Sequence, residues 1–324
     1  MSELRWHSLL RQWVVVASHR QNRPQMPADW CPFCPGSGQV PEDYDVYLYP
    51  NDFPAFSPDA EPFDPAPGLF ATTGARGVCD VVLYNPQHTR RPSELSPAQW
   101  RKIVDLWASR SAELAKMPDV QQIMIFENTG VAIGVTMPHP HGQIYAFPFT
   151  PPLIQTEIDA SREHYQRSHR CLYCDLLKRE LSDVERIVAV NDSFVAFVPF
   201  AARFPSEVQI YSKRHIAGFA QMTDEDRESL GSMLSTIRKK YDNLYDLSKL
   251  EPRDNVLPLM MIVRLPPARG EHPYHHFHIE FLPLQRSERK LKYLASVETA
   301  GGTYLADTRP EERAEALRNA EPRT

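Results

Sequence analysis

The sequence predicts an α+β protein made of two tandem, related halves, each an antiparallel sheet with a flanking helix. Three observations carry this. The run Asp80-Val81-Val82-Leu83-Tyr84-Asn85-Pro86-Gln87-His88 aligns without a gap on Glu207-Val208-Gln209-Ile210-Tyr211-Ser212-Lys213-Arg214-His215, matching acidic, aliphatic, tyrosine and histidine positions. Each half opens on a Cys-x-x-Cys pair, Cys31/Cys34 and then Cys171/Cys174. Each closes on a His-x-His segment, His139/His141 and then His276/His278. The halves are placed at residues 1–160 and 161–324.

The elements follow in order. Asn51-Asp52-Phe53-Pro54-Ala55-Phe56 echoes Asn191-Asp192-Ser193-Phe194-Val195-Ala196-Phe197 ahead of the repeated strand. Eight residues beyond His88 and His215 comes a helix start in each half. Ser96 precedes Pro97, a favoured first helical residue, and Thr223 with Asp226 has capping-box spacing. Trp100, Ile103, Val104 and Trp107 form one apolar stripe, and Leu230, Met233, Leu234, Ile237 and Tyr241 the other, so both helices bury a face. Phe126-Glu127-Asn128-Thr129-Gly130-Val131-Ala132-Ile133-Gly134 reads as a strand opening into a glycine-punctuated loop. The run from Arg309-Pro310 to Arg318 predicts a short helix after a proline start.

Composition narrows the function. The 324 residues suffice for one large or two medium domains, and a net charge of −5 without a Lys/Arg block argues against nucleic-acid binding and for a small substrate. No stretch approaches the roughly 18 apolar residues of a membrane span, and the start of the chain shows no signal-peptide pattern. A cytoplasmic protein is expected. Four of the five cysteines lie in the two Cys-x-x-Cys pairs, which there read as metal thiolates rather than disulfides.

In each half the same order recurs: Cys31, Cys34, His88 and His139; Cys171, Cys174, His215 and His276. Two thiolates and two distant histidines make the tetrahedral set that structural zinc prefers, which predicts two zinc ions per chain. One histidine of each pair, His141 and His278, is left for another task. In Met137-Pro138-His139-Pro140-His141-Gly142-Gln143 both imidazoles fall on one face of an extended segment. His141 can then be presented to a phosphate, with Gly142 allowing close approach and Gln143 donating to an oxyanion. The Asn128 amide and the loop N–H groups add a phosphate cradle. His278, followed by Ile279-Glu280-Phe281, has no such cradle and reads as structural.

Together with Ser18-His19-Arg20-Gln21-Asn22-Arg23-Pro24, Asn51-Asp52-Phe53-Pro54 and Lys292-Tyr293-Leu294-Ala295 followed by Glu298, these motifs make a chain that resembles, nearly end to end, the galactose-1-phosphate uridylyltransferase family of the histidine-triad superfamily. The resemblance implies two histidine-triad-like halves related by a pseudo-twofold axis. It implies ping-pong transfer of UMP between UDP-glucose and galactose 1-phosphate, with His141 as the nucleophile carrying UMP. Gln143 and Asn128 would then hold phosphate oxygens, Arg20 and Arg23 would face the diphosphate or sugar phosphate, and Asn51, Asp52 and Phe53 would meet uridine. Lys292 and Glu298 would reach the hexose from a second subunit, which implies a homodimer.

Some positions depart from the family pattern. Val135-Thr136 stand for a small residue and serine, with Thr136 keeping the hydroxyl; Thr129 stands where a lysine is common. Glu157, His276 and His278 match three positions of an iron set found in some members, but Arg264 stands for the remaining histidine, so zinc on Cys171, Cys174, His215 and His276 is expected instead. No hexose-gripping glutamine is recognisable after Glu298. Two alternatives to the uridylyltransferase remain: an ADP-sugar or dinucleoside polyphosphate phosphorylase on the same scaffold, and a zinc-stabilised binding module without catalysis.

Overall fold

A computed structural model describes residues 2–22, 30–248, 250 and 255–321. The first half contributes β1 (Glu3–His7), β2 (Gln12–Val16), β3 (Tyr47–Pro50), β4 (Thr72–Gly74), β5 (Val78–Leu83), α1 (Pro97–Leu114), β6 (Gln122–Thr129) and β7 (His141–Phe147). Helices α2 (Pro152–Ser168) and α3 (Leu172–Asp183) lead into the second half. There follow β8 (Ile187–Val190), β9 (Phe194–Phe197), β10 (Val208–Ser212), α4 (Asp224–Leu244), β11 (Leu259–Arg264) and β12 (His278–Pro283). A tail of β13 (Gln285–Ser287), β14 (Lys290–Leu291), α5 (Ser296–Thr299) and α6 (Pro310–Arg318) completes the order.

The duplication becomes a single nine-stranded antiparallel sheet in the order β3-β5-β7-β6-β11-β12-β10-β9-β8. The halves meet where β6 pairs with β11, and outward from that seam β7 answers β12, β5 answers β10 and β3 answers β9. The aligned runs around His88 and His215 thus fall on equivalent strands. The expected α+β fold with tandem, pseudo-twofold halves is what the chain adopts. Helix α2 runs through residue 160 and joins the two halves.

Both main helices lie on one face of the sheet. Ser96 accepts from Gln99 N at the start of α1, and Thr223 and Asp226 close a reciprocal capping box on α4. The two apolar stripes face each other and the sheet, and Trp100, Ile103, Val104, Trp107, Leu230, Leu234 and Ile237 are wholly buried. A Cβ on Gly231 would come within 2.8 Å of the Pro97 carbonyl oxygen, so glycine is what lets the helices cross this closely. The tail helix α6 forms as its proline start predicts, and Arg318 from it bonds the Ile187 carbonyl at the sheet edge. The small sheet β2-β1-β4 lies outside the nine strands. Ahead of the site, the opposite face of the first half is open to a cleft.

Candidate active site

Strand β7 places His141, Gln143 and Tyr145 on the sheet face away from α1, since alternate residues of its run are buried against the helices. Strand β6 turns Asn128 to the same face: Phe126, two residues earlier, packs its ring 5.0 Å from that of Tyr145. Pairing between β6 and β7 stops at Phe126↔Gln143, whereas β6 stays paired with β11 through Thr129↔Leu259. The edge of Glu127 to Thr129 nearer β7 is therefore left open. One cleft there is lined by Asn128, Gly130, Thr136 and His141, and a second by Asn51, Asp52, Phe53, Thr136, His141 and Gln143. His141 and Thr136 border both.

The imidazoles of the His-Pro-His segment are held differently. His139 is buried, and its Nε2 lies 2.8 Å from the Asn85 carbonyl and 3.1 Å from the Tyr44 hydroxyl, leaving Nδ1 toward the cysteines. Burial keeps this ring neutral, with a pKa pushed down to about 4. His141 is half-buried, and its Nδ1 lies 2.7 Å from the His139 carbonyl. A carbonyl accepts only, so Nδ1 carries the hydrogen and the lone pair of the neutral ring is on Nε2. Phe33 packs against both rings, at 5.9 and 5.7 Å.

The side of the second cleft formed by Asn51, Asp52 and Phe53 is a turn. Phe53 N donates to the Asn51 side-chain oxygen at 2.9 Å, and Tyr49 donates to both carboxylate oxygens of Asp52 at 3.0 and 3.1 Å. Burial, together with that carboxylate, pushes the Tyr49 hydroxyl up to about 12. A 3₁₀ turn over Ser18–Asn22 packs against this segment through His19, whose Nε2 is 3.1 Å from the Pro54 carbonyl. Arg20 lies in that turn with its charge beside Tyr145 and Cys79. Arg23 lies outside the described residues.

The four residues expected as metal ligands in each half converge. Cys31, Cys34, His88 and His139 place one ligand atom each within 4.8 Å of one another, as do Cys171, Cys174, His215 and His276. Sulfur-to-Nδ1 distances are 3.5 to 3.7 Å in the first set, and 3.4 Å from Cys174 to both His215 and His276 in the second. A tetrahedral zinc with its usual bond lengths would set that edge at about 3.6 Å. The outer ring nitrogens fit as well, because His276 Nε2 faces the Ser212 carbonyl at 2.8 Å as His139 faces Asn85, which fixes Nδ1 as the ligand atom. Either set can hold a metal ion without rearrangement.

One expectation changes. The space at Gly142 is taken up by protein rather than reserved for ligand: it faces the helix side, where a Cβ would lie 2.2 Å from the Tyr84 hydroxyl. In the second half a cation occupies the place of the remaining histidine of the iron set. Arg264 is buried and paired with Glu280 at 2.7 Å and Glu157 at 3.2 Å, so a guanidinium stands among the acidic groups. By register Arg264 answers Asn128, His278 answers His141 and Glu280 answers Gln143. His278 repeats the 2.8 Å contact from Nδ1 to the His276 carbonyl but is fully enclosed.

Lys292 and Glu298 do not line the His141 clefts. They pair with each other at 3.0 Å, and Lys292 also bonds the Leu305 carbonyl at 2.7 Å. Around them Tyr293, Val297 and Leu305 are exposed. Sequence reasoning missed Tyr44 and Asn85 behind His139, Ser212 behind His276, and Arg238 behind Glu127. Arg238 had a readable signal, since it sits four residues after Leu234 and three before Tyr241, on the apolar stripe of α4.

A duplicated antiparallel sheet in which one half presents a carbonyl-braced histidine to an open cleft and the other encloses its counterpart defines an α+β protein of two tandem, pseudo-twofold-related halves. Family models for the galactose-1-phosphate uridyl transferase N-terminal and C-terminal domains match residues 1–151 and 157–322. The chain is 38% identical over 325 residues to the galactose-1-phosphate uridylyltransferase of Thermotoga maritima, covering 99% of each, and 32% identical over 345 residues to that of Rattus norvegicus, covering 97% of this chain and 86% of the relative. A solved uridylyltransferase structure superposes with a TM-score of 0.86 at 32% identity, covering 98% of both chains. An ADP-glucose phosphorylase from Arabidopsis thaliana shares the fold, with a TM-score of 0.74 at 23% identity over 98% of this chain and 99% of that one. The chain belongs to the galactose-1-phosphate uridylyltransferase family, a family of transferase enzymes.

Proposed function

We propose that this enzyme moves UMP between UDP-glucose and galactose 1-phosphate, in galactose metabolism, through a covalent uridylyl-histidine on His141. The observation that carries the reading is the contact between His141 Nδ1 and the His139 carbonyl, which puts the proton on Nδ1 and makes Nε2 the nucleophilic nitrogen of the neutral ring, at the edge of a cleft bordered by Gln143 and Thr136. In the first half-reaction Nε2 forms a bond to the α-phosphorus of UDP-glucose, and the bond to the bridging oxygen breaks, releasing glucose 1-phosphate. The positive charge that develops on the ring is stabilised by the His139 carbonyl at Nδ1. In the second, a phosphate oxygen of galactose 1-phosphate attacks the same phosphorus and the P–Nε2 bond breaks, its electron pair returning to Nε2, which forms UDP-galactose and restores neutral His141.

Asn128, Gln143 and Thr136 hold the non-bridging oxygens, Arg20 and Arg23 bring positive charge, and Asn51, Asp52 and Phe53 receive uridine. The nucleophile thus sits in the half spanning 1–160, and the tail of the half spanning 161–324 serves the hexose. Lys292 and Glu298, locked to each other, act as the brace of a tail that meets the cleft of a second subunit in a homodimer. Both Cys₂His₂ sets hold zinc, two ions per chain. In each set the two thiolates and two Nδ1 atoms would hold the ion, which would serve folding rather than substrate chemistry. A cytoplasmic setting fits cysteines that form no disulfide among the described residues.

The test is a product assay with UDP-glucose and galactose 1-phosphate, run beside ADP-glucose and inorganic phosphate. Parallel-line ping-pong kinetics with the first pair support this reading; turnover of the second pair alone would make the enzyme a phosphorylase.

A further inference from the structure

Behind the phosphate cradle, on the helix side of the sheet, lies a buried charge cluster that the proposed chemistry does not use. Glu127 and Thr129 flank Asn128 in β6; both residues also border the first cleft, but their side chains turn to the α4 side of the sheet. There Arg238, 4% exposed, places Nη2 3.0 Å from Glu127 Oε1 and 3.3 Å from the Thr129 hydroxyl. Thr129 in turn donates to Glu127 Oε1 at 2.6 Å. The Tyr84 phenol, whose titration burial lifts well above its ordinary value, lies beside the same carboxylate and directly under Gly142 of the nucleophile strand.

We infer that Arg238 is a positioning residue from the second half, which fixes the end of β6 and thereby the Asn128 amide opposite His141. Three features favour this over a role in stability alone. First, β6 has lost its β7 neighbour at this point, so the backbone at Asn128 is held by the ladder on its β11 side only. Second, a buried ion pair contributes little net stability compared with apolar residues of the same volume. Third, the pairing is incomplete: Arg238 Nη1 is buried without a hydrogen-bond partner among the described residues, and beyond Arg238 and Thr129 the Glu127 carboxylate has the Tyr84 phenol beside it, a polar arrangement that core packing alone would not select. The arrangement gives the second half, which presents no nucleophile of its own, a direct mechanical part in the first half's site.

The inference rests on the proposed role of the cleft, and the test separates the two. Because an Arg238→Met protein with an unpaired buried Glu127 can fail to fold, the working variant is Arg238→Met with Glu127→Gln, in full-length zinc-loaded protein. Its melting temperature is expected to stay within a few degrees of the parent. Both its UMP affinity and its rate of adduct formation from UDP-glucose should fall by at least about tenfold, since small misplacements of positioning groups are costly. In an Asn128→Ala background the same pair of changes should alter either quantity by less than about twofold, because the effect passes through Asn128. Parent-like UMP affinity in the paired variant, or a full further loss in the Asn128→Ala background, overturns the inference. If the parent binds UMP but forms no adduct, the nucleophile assignment fails, while the affinity comparison still decides the role of Arg238.

Discussion

The backbone carbonyl of His139 lies 2.7 Å from Nδ1 of His141, so the residue whose own ring turns to two cysteines also fixes the tautomer of its neighbour. One short segment thus joins a metal centre to a reactive imidazole, and the prolines on either side of His139 keep the two rings from exchanging tasks.

The first prediction separates those tasks. His141→Ala should abolish transfer while leaving zinc content unchanged and the melting temperature within a few degrees. His139→Ala should lower zinc occupancy of the first set and destabilise the protein by several kcal/mol, because the metal's binding energy is part of the folding energy. Elemental analysis and thermal melts on the two variants decide this; full zinc in the His139 variant would break the assignment.

The second concerns metal removal. Cys34 and His88 of the first set are half-buried, whereas in the second set Cys174 is half-buried and His215 is exposed. A chelator should therefore strip the C-terminal site first. Stopped-flow release followed with a zinc dye should show two phases, with His215→Ala removing the faster one; loss of the slower phase instead would reverse the order.

Much of this was legible in the chain itself. The Cys-x-x-Cys and His-x-His spacings, the gapless repeat and the two apolar stripes name the metal sets, the symmetry and the core, because each is a local pattern that the fold repeats. Less legible were effects that depend on which side of a strand faces what. Gly142 reads as room for ligand until β7 is seen to turn it onto Tyr84, and Arg264 reads only as a missing metal ligand until the fold shows it, at the position equivalent to Asn128, as a guanidinium between two carboxylates. The Lys292–Glu298 pair could not be read from spacing, since it depends on how the tail folds back on itself.

The third prediction is a pH dependence. Burial lifts the Glu157 carboxyl to about 7, against the pull of Arg264. The folded state then binds more protons than the unfolded chain between about 4.5 and 7, so this group's effect on stability is least unfavourable at acid pH and grows as pH rises toward 7. Relative to Glu157→Gln, the parent should lose on the order of 1–3 kcal/mol across that interval. Urea melts at several pH values check it; a parent that gains on the variant as pH rises contradicts the sign.

The fourth addresses the dimer. If the tail carrying Lys292 and Glu298 serves the partner's cleft, an inactive His141→Ala protein mixed with an inactive Glu298→Ala protein should regain activity on subunit exchange. A symmetric dimer gives each heterodimer one intact and one doubly defective site, so recovery should reach about a quarter of the parent's activity with random, equal mixing. No recovery, with exchange verified by differential tags, would mean that the tail acts within its own subunit.

The most direct measurement uses the unaltered enzyme. Incubated with UDP-glucose and no acceptor, the zinc-loaded protein should gain the mass of one uridylyl group per chain, located on His141 by peptide mapping at alkaline pH, where a phosphoramidate survives. Galactose 1-phosphate should then remove it and yield UDP-galactose. A protein that turns over both sugar phosphates without ever carrying UMP, or that carries it on His278 or another residue, would contradict the account.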